Sequence, residues 1–151
     1  MPSIEWKLRP ALVVTCLGVI FFGWLIVTYL RGTLMIGYVD SAIARVRAVV
    51  SAEDEFAKSH PEAGYTCTLS QLPQEGQIAR LAHDGKDNSY AFDILGCQAP
   101  DLGKPNLLYQ VAARPLHSGL PAFCSDQSGI VRSDDGGSVE RCLAKGVPLG
   151  S

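Results

Sequence analysis

From Pro10 to Leu30 the chain reads "PALVVTCLGVIFFGWLIVTYL", with no charged residue. About 20 apolar residues at 1.5 Å per residue cross a hydrocarbon core of about 30 Å. Leu12, Val13, Phe21, Phe22, Trp24 and Leu25 are the side chains expected to meet lipid. Trp6, Trp24 and Tyr29 are candidate interfacial aromatics. A cleavable signal peptide would have a shorter apolar core, closely followed by a small-x-small site. Here the nearest such site, Ala42 to Ala44, is far downstream, so an uncleaved anchor is expected over a signal peptide or a buried soluble helix.

The pattern then changes. Gly32 and Gly37 weaken the helix, enough to break it or bend it. In "SAIARVRAVVSAEDEFAKSH", Ile43, Val46, Val50 and Phe56 recur near helical spacing, and Ala42 and Val49 widen the stripe. Arg45, Arg47, Asp54 and Lys58 lie mostly off it, and Pro61 and Gly64 end it. The stripe carries mixed charges, which favours packing on the protein's own sheet over lying on a membrane surface.

Beyond Tyr65, short periods take over. "YTCTLSQL" reads as a short strand or extended arm, and "EGQIARLAHDG" as a short helix ending at Gly85. "SYAFDIL" puts Tyr90, Phe92 and Ile94 on one side, and "NLLYQVAARP" does the same for Leu107, Tyr109 and Val111. "GLPAFC", "GIVRS" and "SVERCL" complete a predicted antiparallel meander of four or five strands, with a turn at Asp134 to Gly137 before the last.

Charge and cysteine usage set the compartment. A net charge of −2 over 151 residues argues against a nucleic-acid partner. Lys7 and Arg9 favour an N-terminus inside, although Arg31, Arg45 and Arg47 blur the asymmetry. Cys16 falls in the apolar span, where it reads as a small filler; Cys67, Cys97, Cys124 and Cys142 lie beyond it. An even number, widely spaced, indicates two disulfides in an oxidising space. Four cysteines allow three pairings. Sequential pairing, Cys67–Cys97 and Cys124–Cys142, is expected because each pair brackets one local unit. These readings place the protein in an inner membrane, with its C-terminal part in a periplasm-like space.

The plan of an apolar helix, an amphipathic continuation and a small sheet resembles type IV pilins and type II secretion pseudopilins. "RVRAVVSAEDEFAKSHPEAGYTCTLSQLP" is similar to the segment where their helix enters a Tyr/Cys loop. "YQVAARP" followed by "GLPAFCSDQSGIVRSDDGGSVERC" resembles their last strands, which carry Phe-Cys-x-Asp-x-Ser-Gly-x-Ile/Val-Arg. The resemblance covers about 42–143. It implies an α+β fold, a single-pass helix leading into a disulfide-stapled pilin-like domain, with 1–37 as tail, anchor and link and 38–151 extracytoplasmic. It also implies a non-enzymatic structural subunit without a cofactor, whose partners are the lipid bilayer and other membrane-protein subunits. Family members carry a Gly before the span and a Glu at the fifth mature position. Here Glu5 is followed by Lys7, Arg9 and Pro10, where a pilin is apolar. That departure favours an alternative, an accessory subunit capping the outer face of an integral, energy-transducing complex.

Two cysteines around a cluster of Asp, Ser and Gly make "PAFCSDQSGIVRSDDGGSVERCL" a candidate for a nucleophile, a metal site or a disulfide. A nucleophilic Cys124 needs a base and an orienting group. His117 is seven residues away, and His60 and His83 carry no motif, so a disulfide is expected. The cysteine spacings do not form a zinc cluster. Asp126, Asp134, Asp135 and Glu140 are hard oxygen ligands of the kind calcium takes, and the resemblance to major pseudopilins points the same way, but the spacing is not that of an EF-hand. Asp126 and Ser128 suit a self-bonded turn, and no metal is expected.

Overall fold

The computed structural model describes residues 5–87, 89–97 and 104–150. Helix α1 runs unbroken from Glu5 to Ser59, so Gly32 and Gly37 do not interrupt it. A Cβ at either glycine would meet nothing within 4 Å. The contacts divide the chain into two units, Met1–Gly37 and Tyr38–Ser151.

In the first unit the helix carries its apolar side chains outward. The large hydrophobic residues from Val13 to Leu30 are 40–73% exposed. It is long and apolar enough to cross a membrane. The Thr28 and Thr33 hydroxyls are turned back onto the helix itself. Thr28 Oγ1 lies 2.9 Å from the Leu25 carbonyl and 3.1 Å from that of Trp24, and Thr33 Oγ1 donates to the Leu30 carbonyl. Such back-bonding removes the cost of an unpaired donor in an apolar medium.

In the second unit, the C-terminal part of α1 lies against a five-stranded antiparallel meander. The strands are β1 (Tyr90–Leu95), β2 (Gln110–Pro115), β3 (Ala122–Asp126), β4 (Arg132–Asp134) and β5 (Val147–Pro148), paired in chain order. Registers such as Phe92 opposite Ala113 and Ala113 opposite Phe123 align the apolar sides of the first three strands. One sheet face, with Tyr90, Phe92, Val111, Ala113 and Phe123, joins Ala42, Val46 and Val49 of α1 in the main core. The predicted stripe is therefore the packing face, with Ile43, Val50 and Phe56 at its margins. Leu107 was expected beside Tyr109 and Val111, but it precedes β2 and is exposed.

Two segments differ from expectation. "YTCTLSQL" forms a 3₁₀ turn at Leu69–Gln71 between extended Thr68 and Leu72, so of the strand and the extended arm expected it is not the strand. "SVERCL" forms helix α3, Val139–Lys145, not the last strand. Its cues are helical. Ser138 is an N-cap whose Oγ accepts from the Arg141 N–H, and Val139, Cys142 and Leu143 recur at i, i+3 and i+4. Helix α3 covers the second sheet face, where Val139 and Leu143 pack on Ala112 and Ala122. The last strand is β5, beyond that helix. Helix α2, Gly76–Asp84, ends where predicted: Gly85 adopts a left-handed conformation (φ 62°) and its N–H donates to the Leu81 carbonyl.

Candidate functional site

Cys67 is bonded to Cys97, and Cys124 to Cys142. Cys124 points from β3 toward the α3 side of the sheet, so its disulfide ties strand to helix and does not close a hairpin. Its sulfur is committed and fully buried, which removes it as a nucleophile. The loops closed span 30 and 18 residues. At that length each contributes about 3 kcal/mol or slightly more in the chain-entropy model. Cys16 is free and exposed on α1. Of the side chains expected to meet lipid, Val13, Phe21, Phe22, Trp24 and Leu25 are all exposed; Leu12 lies in α1, with its side chain outside the described residues.

Three of the four acidic residues of the C-terminal segment, Asp126, Asp134 and Glu140, are engaged by their own neighbours. Asp126 accepts from the Ser128 N–H at 2.9 Å and from Arg132 at 2.9 Å. Burial raises its pKa, but these bonds outweigh burial and leave the carboxyl below its ordinary value. Asp134 receives two bonds from the Arg141 guanidinium, at 3.1 and 3.0 Å, and one from the Ser138 N–H. The Arg141 bond is the main reason its pKa is also lowered. Glu140 is lowered by its own backbone N–H and by Ser138. Among the described residues no three His, Cys, Asp or Glu side chains converge as a metal site. The segment from Pro121 to Leu143 is held by a cap, turns and ion pairs.

A polar cluster that the sequence pattern did not disclose lies under the chain reversal after α1. Glu53 is fully buried. Its carboxylate accepts from the Thr66 N–H at 2.8 Å and from the Thr66 hydroxyl at 2.6 Å. Burial pushes the carboxyl above its ordinary value, the Thr66 bonds pull it down, and Asp54 adds like-charge repulsion. Glu53 sits four residues after Val49 and three after Val50, on the core stripe. A carboxylate in line with an apolar stripe was the available signal. Nearby, Gly64 and Asn106 form a bridge: the Tyr65 N–H donates to the Asn106 carbonyl and the Asn106 N–H to that of Ala63. Asn106 Nδ2 also donates to the Tyr65 carbonyl and lies 3.2 Å from the Cys97 sulfur, so loop and disulfide share one clamp.

Arg45 of α1 pairs with Asp87 and lies over the Phe92 ring, 5.9 Å from its centroid. Asp87 also accepts from the N–H groups of Ser89 and Tyr90. Beyond it an open cleft of about 310 Å³ separates the Phe92–Ile94 stretch from the Cys67–Ser70 segment, with Leu81 in its lining. Compared with protein-family models, curated proteins and solved structures, the chain matches none.

Proposed function

We propose that this protein is a non-enzymatic, membrane-anchored structural subunit, pilin- or pseudopilin-like, working in a filament or secretion assembly. The observation that carries the reading is one helix with two uses. Its N-terminal part exposes a continuous apolar surface with the Thr28 and Thr33 hydroxyls bonded back onto the helix. Its C-terminal part is the core helix of a small sheet held by two disulfides. The apolar part partitions into the inner membrane with the N-terminus inside, and the stapled unit lies in the periplasm, where disulfides persist. The lipid bilayer and neighbouring membrane-protein subunits are its partners; nucleic acid is not.

The alternative, an accessory subunit on the outer face of a larger energy-transducing membrane complex, is favoured by one observation. Lys7, Arg9 and Pro10 stand at the head of the apolar run. Basic residues there are costly in a filament core and harmless at a lipid headgroup.

The test has three parts. Alkaline carbonate treatment of membranes should leave the protein in the pellet; release into the supernatant overturns the anchor. Oxidised cysteines in whole cells support the periplasmic placement, and reduced ones overturn it. Sequencing the mature N-terminus together with a mild-detergent pull-down then separates the two assemblies. Filament components as partners support the first, whereas an N-terminus at Met1 with an integral complex as partner supports the second.

A further inference from the structure

Among the described residues, the outer edge of β1 is covered over only half its length. Tyr90, Phe92 and Ile94 direct their backbone groups away from β2, because Ala91, Asp93 and Leu95 alternate with them along the ladder. The Phe92 N–H donates to the Gly85 carbonyl at 2.7 Å, and the Tyr90 carbonyl accepts from the Asp87 N–H at 2.8 Å. Lys86 thus acts as one residue of an additional antiparallel strand opposite Ala91. Toward its N-terminal side the chain turns into α2 at the left-handed Gly85 and leaves the edge. The Phe92 carbonyl and both backbone groups of Ile94 come next on that edge, and no described residue bonds them.

These groups open into the cleft. Cys67, Thr68 and Ser70 stand across from them, and the apolar side chains of Leu69, Leu81 and Phe92 line it. Asp93, on the opposite sheet face from Phe92, is exposed at the same opening and has no ion-pair partner among the described residues. An unpaired sheet edge is a template for another strand, and pairing by backbone hydrogen bonds with alternating side-chain preferences is a known mode of peptide capture.

We propose that the Phe92–Ile94 edge binds an extended segment of a partner protein, antiparallel to β1. The segment alternates apolar residues, placed on the Leu69, Leu81 and Phe92 side, with basic residues placed beside Asp93. The free donor and acceptors specify a strand, and the unpaired carboxylate specifies its charge. Strand capture at this edge requires neither the anchor nor a filament, so its test is separate from theirs.

The probe is the peptide acetyl-Val-Lys-Val-Lys-Val-amide, added to the oxidised full chain in zwitterionic detergent micelles. Amide hydrogen exchange is read by NMR. In the proposed geometry the valine N–H groups face β1 and the lysine N–H groups face solvent. Peptide N-methylated on the lysines should slow exchange of the Ile94 amide at least tenfold. The peptide of identical composition methylated on the valines should not. Asp93→Asn should weaken binding of the first peptide severalfold and leave the protein's other amides unchanged. Equal effects of the two methylated peptides, or an Ile94 amide unprotected at millimolar peptide, would overturn the proposal. An unchanged affinity in Asp93→Asn overturns the charge preference.

Discussion

Glu53 in α1 and Thr66 in the following loop form a buried two-point contact: one carboxylate accepts from both the backbone N–H and the hydroxyl of one residue. Thirteen residues separate them, and the chain reverses between. The bond pair therefore fixes where the polypeptide turns back after leaving the helix. A buried carboxylate without a cation is costly, and its protonation is coupled to folding.

Because the Glu53 carboxyl is raised above its ordinary value of 4.5, the folded protein binds its proton more tightly than the unfolded chain. Its contribution to stability is fully present below the unfolded value and is lost as pH rises through the folded one. The Gln side chain can accept the Thr66 N–H and donate to the hydroxyl, as the protonated acid does. Glu53→Gln should therefore match the parent at acidic pH and exceed it near neutrality. Glu53→Ala leaves the Thr66 N–H unpaired and should cost about 2 kcal/mol. Urea titration across a pH series checks both; a parallel pH profile in Glu53→Gln sinks the account.

Gly64 and Gly85 both have positive φ, yet they should respond differently to alanine. A Cβ at Gly64 would stand 2.1 Å from the Asn106 carbonyl oxygen, whereas one at Gly85 meets nothing within 4 Å. Gly85→Ala should cost about 1 kcal/mol, from left-handed strain alone. Gly64→Ala must also break the Gly64–Asn106 bridge and should cost well over about 2 kcal/mol. Thermal melts of the two variants decide; equal losses would mean that the bridge yields freely.

The Cys124–Cys142 bond joins β3 to α3. Replacing both cysteines with alanine should cost about 3 kcal/mol or more. It should loosen α3 first, so the Val139 to Lys145 amides should lose protection before those of β1 and β2. Hydrogen exchange reads this order directly, and uniform loss across the sheet would contradict it.

The hydroxyls of Tyr90 and Tyr109 are buried with no partner among the described residues. Burial is the main cause that pushes both phenols up, Tyr90 to about 12. Removing an unpaired buried hydroxyl while keeping the ring relieves its desolvation. Tyr109→Phe should be neutral or stabilising by about 1 kcal/mol, measured by urea titration. A loss of 2 kcal/mol or more would reveal a bond that the hydroxyl makes in solution.

Much of the fold is set by local and periodic physics. The apolar run, the stripe from Ala42 to Phe56 and the alternation of Tyr90, Phe92 and Ile94 each follow from the pitch of one element meeting one apolar face. So does the left-handed stop at Gly85. The even set of cysteines after the span, read with local bracketing, was enough for their pairing. Segments with short or mixed signals were decided by packing. "SVERCL" was expected as a strand, but its Ser138 cap and helical spacing are joined by a sheet face, Ala112 and Ala122, that only a helix laid across it covers. Glu53 stands in line with the apolar stripe, but helical spacing alone names no partner for it. Only the return of Thr66 to the same spot made burial affordable, since no periodicity reports a partner across a chain reversal. The half-covered β1 edge is of the same kind. It depends on where Gly85 leaves the ladder and where the Cys67–Cys97 bond holds the opposite wall, relationships that arise only when distant segments are packed together.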